Sequence, residues 1–298
     1  MSKYDVREIR RLYDRGENIV SWIKAQENAA NPSSTAILYS YDAQAGTYIS
    51  HVETSDGREL RERIGERLGA ILSEIAPLSL LEAGVGEATS LTPVLRHIRS
   101  KPRHVLGFDL SLSRLLFARE YLRRNETPDV ELFTGDLERI PLASASVDTI
   151  VTIHVVEPNG GREEAILSEL LRVAGRYLVL IEPSYEFASA EARARMERLG
   201  YVRALPETLT RLGYEPRKVE RWPHNSNPLN EAALIVVEKT TATSESQPQF
   251  VSPLSGGSLL RRPDCLLCAE DGHAFPIISG IPCLTTDNAV LASKLNAL

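Results

Sequence analysis

No apolar run in the 298-residue chain approaches the roughly 20 residues that a membrane-spanning helix requires. The stretch from Met1 to Glu17 is charged throughout and has no apolar centre, so a secretory signal peptide is not expected. Cysteine is scarce: there are three, an odd number, all near the C-terminus, which excludes a disulfide framework. A reducing, cytoplasmic setting is expected. A basic excess is also missing, with 34 Lys and Arg against 40 Asp and Glu and a net charge of −6. That balance argues against a nucleic-acid partner, and the missing span against a membrane partner. The one arginine-bearing stretch, Arg114 to Arg124, has helical spacing, with Leu115, Leu116, Ala118, Tyr121 and Leu122 facing inward. It reads as a solvated helix face.

What is present is the composition of a globular protein, 43% hydrophobic and 25% charged. The length suits one large α/β domain with smaller attachments. Residues 5–28 read as one amphipathic helix through Ile9, Leu12, Tyr13, Ile19, Val20 and Ile23, and residues 57–75 as a second through Leu60, Ile64, Leu68 and Leu72. From residue 78 short apolar strands alternate with helices: LSLLEAG, HVLGFDL, VELFTGD, VDTIVTIHVV and YLVLIEP, then PRKVERW and AALIVVEK as an antiparallel pair. This pattern predicts an α/β fold, a Rossmann-like, mainly parallel seven-stranded sheet with helices on both faces. The expected divisions are an N-terminal helical lid (1–76), the core (77–239), a linker (240–249, TTATSESQPQ) and a small β-rich module (250–298) with a terminal helix from about Asn288.

The segment Leu80 to Thr89, LLEAGVGEAT, places Gly84 and Gly86 between a strand and a helix, where the backbone must turn tightly beside a ligand. Acids follow at successive strand ends. Asp109, with Leu110 next to it, is placed to accept ribose hydroxyl hydrogens, and Asp136 to take an adenine amino group while Leu137 packs the ring. Glu82, ahead of the glycines, suits a cationic group. A dinucleotide dehydrogenase is disfavoured because Thr89 stands where a third small residue belongs and Glu87 would repel a pyrophosphate.

LLEAGVGEAT, GFDLS, FTGDLERIPLASASVDTIV and HVVEPNGG resemble the successive motifs of class I methyltransferases, especially the ubiquinone/menaquinone-biosynthesis type. The resemblance covers residues 78–185 and implies S-adenosylmethionine as cofactor, with Gly84 and Gly86 against its methionine part. Relatives often carry His-x-x-Glu-His after strand four; this chain reads His154-Val155-Val156-Glu157-Pro158-Asn159, so no role is carried over for the second histidine. His154 and Glu157 are placed to face the transferring methyl group. His154 is read either as a general base and cofactor contact or as a structural histidine. No Asn/Asp-Pro-Pro-aromatic segment follows strand four, which argues against amino-group methylation of adenine or glutamine. AILYSYDAQAGTYI is similar to a substrate-side lid, making Tyr41 a cofactor contact and Tyr48 and Gln44 acceptor contacts, with simple packing as the alternative. Asn159 and Tyr185 are further acceptor candidates, Glu182 and Glu186 lie nearby, and Asn225, Asn227 and Asn230 form a polar cluster with no assigned use.

The tail from Phe250 to Leu284 resembles the zinc-ribbon activators of tRNA and protein methyltransferases, matching at Phe275-Pro276-Ile277 and Gly280-Ile281-Pro282. Its ligand positions are degenerate: Ser252 and Ser255 replace one cysteine pair and Asp271 a fourth ligand, leaving Cys268, with Cys265 offset. Serine is a poor zinc ligand, so no metal is expected. The expectation from the whole sequence is methyl transfer to oxygen or nitrogen of a small-molecule acceptor in specialised or cell-surface metabolism, in a possible homodimer. An RNA or protein methyltransferase with a fused activator and a noncatalytic S-adenosylmethionine-binding scaffold are the alternatives.

Overall fold

The structure, a computed structural model, describes residues 3–127, 129–225, 227–239 and 247–295. Five helices precede the first strand: α1 (Val6–Asp14), α2 (Ile19–Gln26), α3 (Ser34–Ala43), α4 (Thr47–Val52) and α5 (Ser55–Ile75). The single helix expected over 5–28 is two helices. Gly16 adopts φ +72°, and Asn18 caps α2 by accepting the Ser21 N–H at 2.9 Å, so the chain turns where the apolar spacing continues. Ile9, Leu12, Ile19, Ile23 and Ala36 bury together and bind these helices into a small core of their own.

The alternation then runs β1 (Ser79–Ala83), α6 (Leu91–His97), β2 (His104–Asp109), α7 (Leu112–Arg124), β3 (Glu131–Thr134), β4 (Val147–Ile153), α8 (Glu163–Val173), β5 (Ala174–Pro183), α9 (Ala190–Leu199), α10 (Leu205–Arg211), β6 (Lys218–Trp222) and β7 (Ala232–Glu238). The sheet order is β3-β2-β1-β4-β5-β7-β6, parallel except for β7, which runs antiparallel to both β5 and β6. Helix α10 was not foreseen. Its seven residues are too short for a periodic signal, although Pro206 in its first turn marks the start. Strand residues alternate between two cores: Leu81, Phe108 and Ile150 pack with α8 and α10, while Leu80, Val105 and Val151 pack with α5, α6 and α7. The order reverses between β1 and β4, and at that switch point the carboxyl ends of the strands leave a crevice.

Beyond the core lie β8 (Leu259–Arg261), β9 (Cys265–Cys268), β10 (His273–Ile278), β11 (Ile281–Pro282) and β12 (Val290–Leu291), paired antiparallel. This module docks on the free edge of β3. Cys283 bridges Thr134 in parallel fashion, the Leu284 N–H donates to the Thr134 hydroxyl at 2.9 Å, and Phe250 meets Phe133 edge-on at 5.0 Å between ring centres. The dock covers an otherwise unpaired sheet edge. The terminal helix expected from about Asn288 is instead a 3-10 turn, Thr286–Asn288, followed by β12, because Val290 and Ala274 pair as strands. Of the expected linker, residues 240–246 lie outside the described residues, and Gln249 already belongs to the packed structure, accepting the Ala143 N–H at 2.9 Å.

Ser252, Ser255, Cys268 and Asp271 come together in this module. The Ser252 and Ser255 hydroxyls both donate to Asp271 Oδ2 at 2.6 Å, and Ser255 lies 3.8 Å from the Cys268 sulfur. Burial alone would raise the Asp271 carboxyl, but these hydroxyls, the His273 N–H and Cys268 hold it down to about 2. Among the described residues there is no group of three or more His, Cys, Asp or Glu poised for a metal ion, and no helix long and apolar enough to cross a membrane.

Candidate active site

The crevice at the switch point has a volume of about 260 Å³ and is roofed by Tyr41 from α3, Tyr48 from α4 and Arg61 from α5. Glu82 lies on its floor. It is buried and makes no hydrogen bond among the described residues, and burial pushes its carboxyl up to about 8 against the pull of Arg61. Arg61 donates from Nη1 to the Ser90 hydroxyl at 2.8 Å, while its Nε is buried without a partner. A carboxylate without a hydrogen bond and an under-satisfied guanidinium thus face the same crevice.

Asp109 sits at the end of β2. Its Oδ2 accepts the Gly86 N–H at 3.1 Å and faces Arg114 Nη1 at 3.5 Å, while Oδ1 accepts the Ser111 N–H at 2.9 Å and keeps a lone pair free. Leu110, Asp136 and Leu137 continue the wall, with Asp136 held by the Glu138 N–H at 2.9 Å. Gly84 and Gly86 have φ of +69° and +55°. A Cβ on Gly84 would lie 1.8 Å from Val155 Cγ2, and one on Gly86 would lie 2.4 Å from Arg114 Nη2. Packing inside the protein therefore already demands both glycines.

Arg114 corrects the expectation of a solvated arginine face. It is buried, 3.5 Å from Asp109, and stacked against Tyr48 and Tyr41 with its carbon at 4.6 and 5.3 Å from their ring centres. Arg123 and Arg124, by contrast, are exposed and paired with Glu120. Glu87, the acid that disfavours a pyrophosphate at this turn, is directed to the roof, accepting the Gly46 and Ile49 N–H groups at 2.9 and 2.8 Å.

At the other end of the crevice His154 follows β4 with φ +54°, held by its N–H to Ile181 at 2.9 Å. Its Nδ1 lies 3.0 Å from Glu157 Oε2. Burial works to lower the His154 pKa, but the Glu157 hydrogen bond and charge, with Glu182 beyond, raise it on balance. Glu157 is held low by His154, Tyr201 and Asn230, in spite of burial. Beneath this turn Glu182 accepts the Val155 and Glu157 N–H groups, both at 3.1 Å, and burial pushes its carboxyl up to about 7. Among the acceptor candidates, Tyr48 and Asn159 reach the crevice wall. The Asn159 amide is consumed by its own turn, donating to Val155 and Val156 carbonyls at 3.0 and 3.1 Å. Gln44 does not reach the wall and bonds back to Ser40, and Tyr185 is spent on Glu197 at 2.7 Å, outside the crevice. Both are corrected. Glu186 bonds Ser184.

Residues 80–177 match the family described as methyltransferase domain. A stretch of 115 residues, 37% of this chain, is 33% identical to the malonyl-[acyl-carrier protein] O-methyltransferase of Methylovorus sp. (strain MP688), of which it covers 37%. Another, 59% of the chain, is 28% identical to a 37.1 kDa protein of transposon TN4556 in Streptomyces fradiae, covering 49% of it. The matches thus span less than half of these relatives' own length. By structure, the fold is similar to magnesium protoporphyrin IX methyltransferase from Synechocystis PCC 6803 with bound SAH, at a TM-score of 0.53 and 15% identity over 70% of this chain and all of that one.

The crevice draws several wall residues from outside residues 80–177. Arg61 was missed because a lone arginine on an amphipathic helix reads as solvent-facing. His224, Asn225, Asn227 and Asn230, on the β6–β7 connection, line the crevice too, with the Asn230 amide 3.4 Å from His154 Nδ1. Their clustering in sequence was visible, but their proximity to β4 arises only from the antiparallel return of β7.

Proposed function

We propose that the protein is a methyltransferase that uses S-adenosylmethionine to methylate an oxygen or nitrogen of a small-molecule acceptor, in specialised or cell-surface metabolism. The observation that carries this reading is the opposed pair on the crevice wall. The unbonded Glu82 carboxylate suits an α-ammonium and the under-satisfied Arg61 guanidinium an α-carboxylate, as the methionine part of the cofactor requires. Asp109 with Leu110 would hold the ribose, and Asp136 with Leu137 the adenine, along the same wall. When bound, the cofactor supplies an electrophilic methyl on sulfur for in-line displacement, so much of the rate comes from positioning. Tyr41 and Tyr48 close the roof and exclude water, and His154, oriented by Glu157, takes a proton from an acceptor that must lose one. The helices of residues 1–76 serve as the lid, and the module over β3 braces the adenine side of the site.

Calorimetric titration with S-adenosylmethionine and S-adenosylhomocysteine tests the reading. Micromolar binding that collapses in Asp109→Ala supports it; no binding of either compound removes it.

A further inference from the structure

The His154–Glu157 pair is the inner end of a longer chain of hydrogen bonds. Glu157 Oε2 receives His154 Nδ1 at 3.0 Å and the Asn230 amide nitrogen at 3.1 Å, and the Tyr201 hydroxyl lies on the side of the same carboxylate, helping to hold it ionised. Behind these stands Arg195 of α9. It donates from Nη1 to Asn230 Oδ1 at 3.2 Å and from Nη2 to the Tyr201 oxygen at 3.4 Å.

Each link constrains the next. The guanidinium has donors alone, so the Asn230 atom it meets must be the oxygen, and the amide NH2 is therefore turned to Glu157. A guanidinium at its oxygen likewise leaves the Tyr201 hydroxyl proton free to point at Glu157. The carboxylate, receiving donors on every side, stays an ionised acceptor. Its oxygen 3.0 Å from Nδ1 demands a proton on that nitrogen, since two lone pairs would otherwise face each other. The Asn230 amide also lies 3.4 Å from Nδ1, but a long neutral contact does not outweigh a charge-assisted bond at 3.0 Å. With the proton on Nδ1, the neutral ring keeps its lone pair on Nε2, the atom a base needs.

We propose that Arg195, Tyr201 and Asn230 are positioning residues that fix His154 as the Nδ1–H tautomer, so that the site takes acceptors bearing a hydroxyl whose proton leaves to Nε2. The step balances: the acceptor oxygen forms its bond to the methyl carbon, the carbon–sulfur bond breaks with its electron pair going to sulfur, and the hydroxyl proton moves to His154 Nε2. An acceptor already ionised, such as a carboxylate, needs none of this chain. The proposal rests on the methyltransferase reading for its substrate class, whereas the tautomer is a property of the free protein. The charged and titratable groups around the pair are Glu157, Glu182 and Arg61 for His154, and Tyr201, Tyr41 and Tyr48 for Glu157, with Arg195 against Tyr201.

The test is nitrogen-15 NMR of the full chain with labelled histidine, His154 being assigned through His154→Gln. Wild-type protein above the His154 pKa is expected to show a protonated Nδ1 and a bare Nε2. Arg195→Met, which frees the Asn230 amide to turn, and Tyr201→Phe, which removes one donor without changing the ring, are each expected to give a tautomer mixture and a displaced titration midpoint. A proton on Nε2 in the wild type overturns the proposal, as does a wild-type spectrum in both variants. Failure of S-adenosylmethionine to bind in calorimetry would instead remove the methyltransferase reading and leave the tautomer result standing.

Discussion

Glu87 and Gly46 are joined across the mouth of the crevice: Glu87 Oε1 accepts the Gly46 N–H at 2.9 Å, and its second oxygen accepts that of Ile49 at 2.8 Å. The glycine loop thereby supplies the cap that α4 lacks, since Gly46 at its N-terminus has no side chain to do so. Glu87→Ala removes two charge-assisted bonds worth about 1.5–3 kcal/mol each at most. Hydrogen exchange in residues 46–52 is expected to accelerate at least tenfold, with much smaller change in β1 and β4. Equal exchange in the variant would show that the lid is held by other contacts.

Glu82 carries a cost in the fold that its proposed ligand removes. Its pKa is raised by burial to about 8, so the fold favours its protonated form. The associated stability is fully present below the unfolded value and is lost as pH rises towards 8. Glu82→Gln is expected to raise the melting temperature at pH 8 more than at pH 5, equivalent to about 1–3 kcal/mol, and to weaken S-adenosylmethionine binding at least tenfold. Thermal melts at the two pH values and calorimetry decide it.

At Gly84, a Cβ would collide with Val155 at 1.8 Å in a backbone already at φ +69°. Gly84→Ala is expected to destabilise by about 2–4 kcal/mol. Adding Val155→Gly removes both the Cγ2 contact and the Cβ contact at 2.5 Å but not the backbone strain, so urea unfolding of the double variant should recover part of the loss. Full additivity of the two changes would mean that Val155 is not the obstacle.

The hydroxyl–carboxylate knot of the C-terminal module makes a prediction about metal. The Ser252 and Ser255 hydroxyls meet Asp271 at 2.6 Å beside Cys268, so changing all three to cysteine assembles four thiols around one point. The triple variant is expected to bind one zinc ion in elemental analysis. Asp271→Asn alone should cost about 2 kcal/mol at pH 7. Because Asp271 is held down to about 2, this contribution is present above the ordinary aspartate range and fades as pH falls towards 2. The wild type and the variant should therefore converge in acid melts.

Strand and helix alternation from residue 78 onward was legible because each strand is an apolar run with turn residues at its ends, and the helices keep a 3.6-residue spacing. Helix breaks were less so: α1 and α2 share one apolar periodicity, and it took the φ of Gly16 to part them. The terminal helix failed for a related reason, since the few residues after Asn288 satisfy either spacing and the free edge of β10 decided for a strand.

For the site, sequence alone determined what stands at strand ends. Glu82, the two glycines, Asp109 and Asp136 stand at or just beyond the ends of their strands, and parallel strands put their carboxyl ends on one edge. Everything that reaches the crevice from a distance was decided by tertiary structure. Arg114 is buried because Tyr41 and Tyr48 fold over it, Glu87 becomes a cap because α4 arrives above it, and Arg195 meets Asn230 because α9 and the connection into β7 close around the end of β4. Local sequence fixes backbone periodicity and the residues adjacent to it. Contacts between segments separated by scores of residues depend on packing, which no short window of sequence encodes.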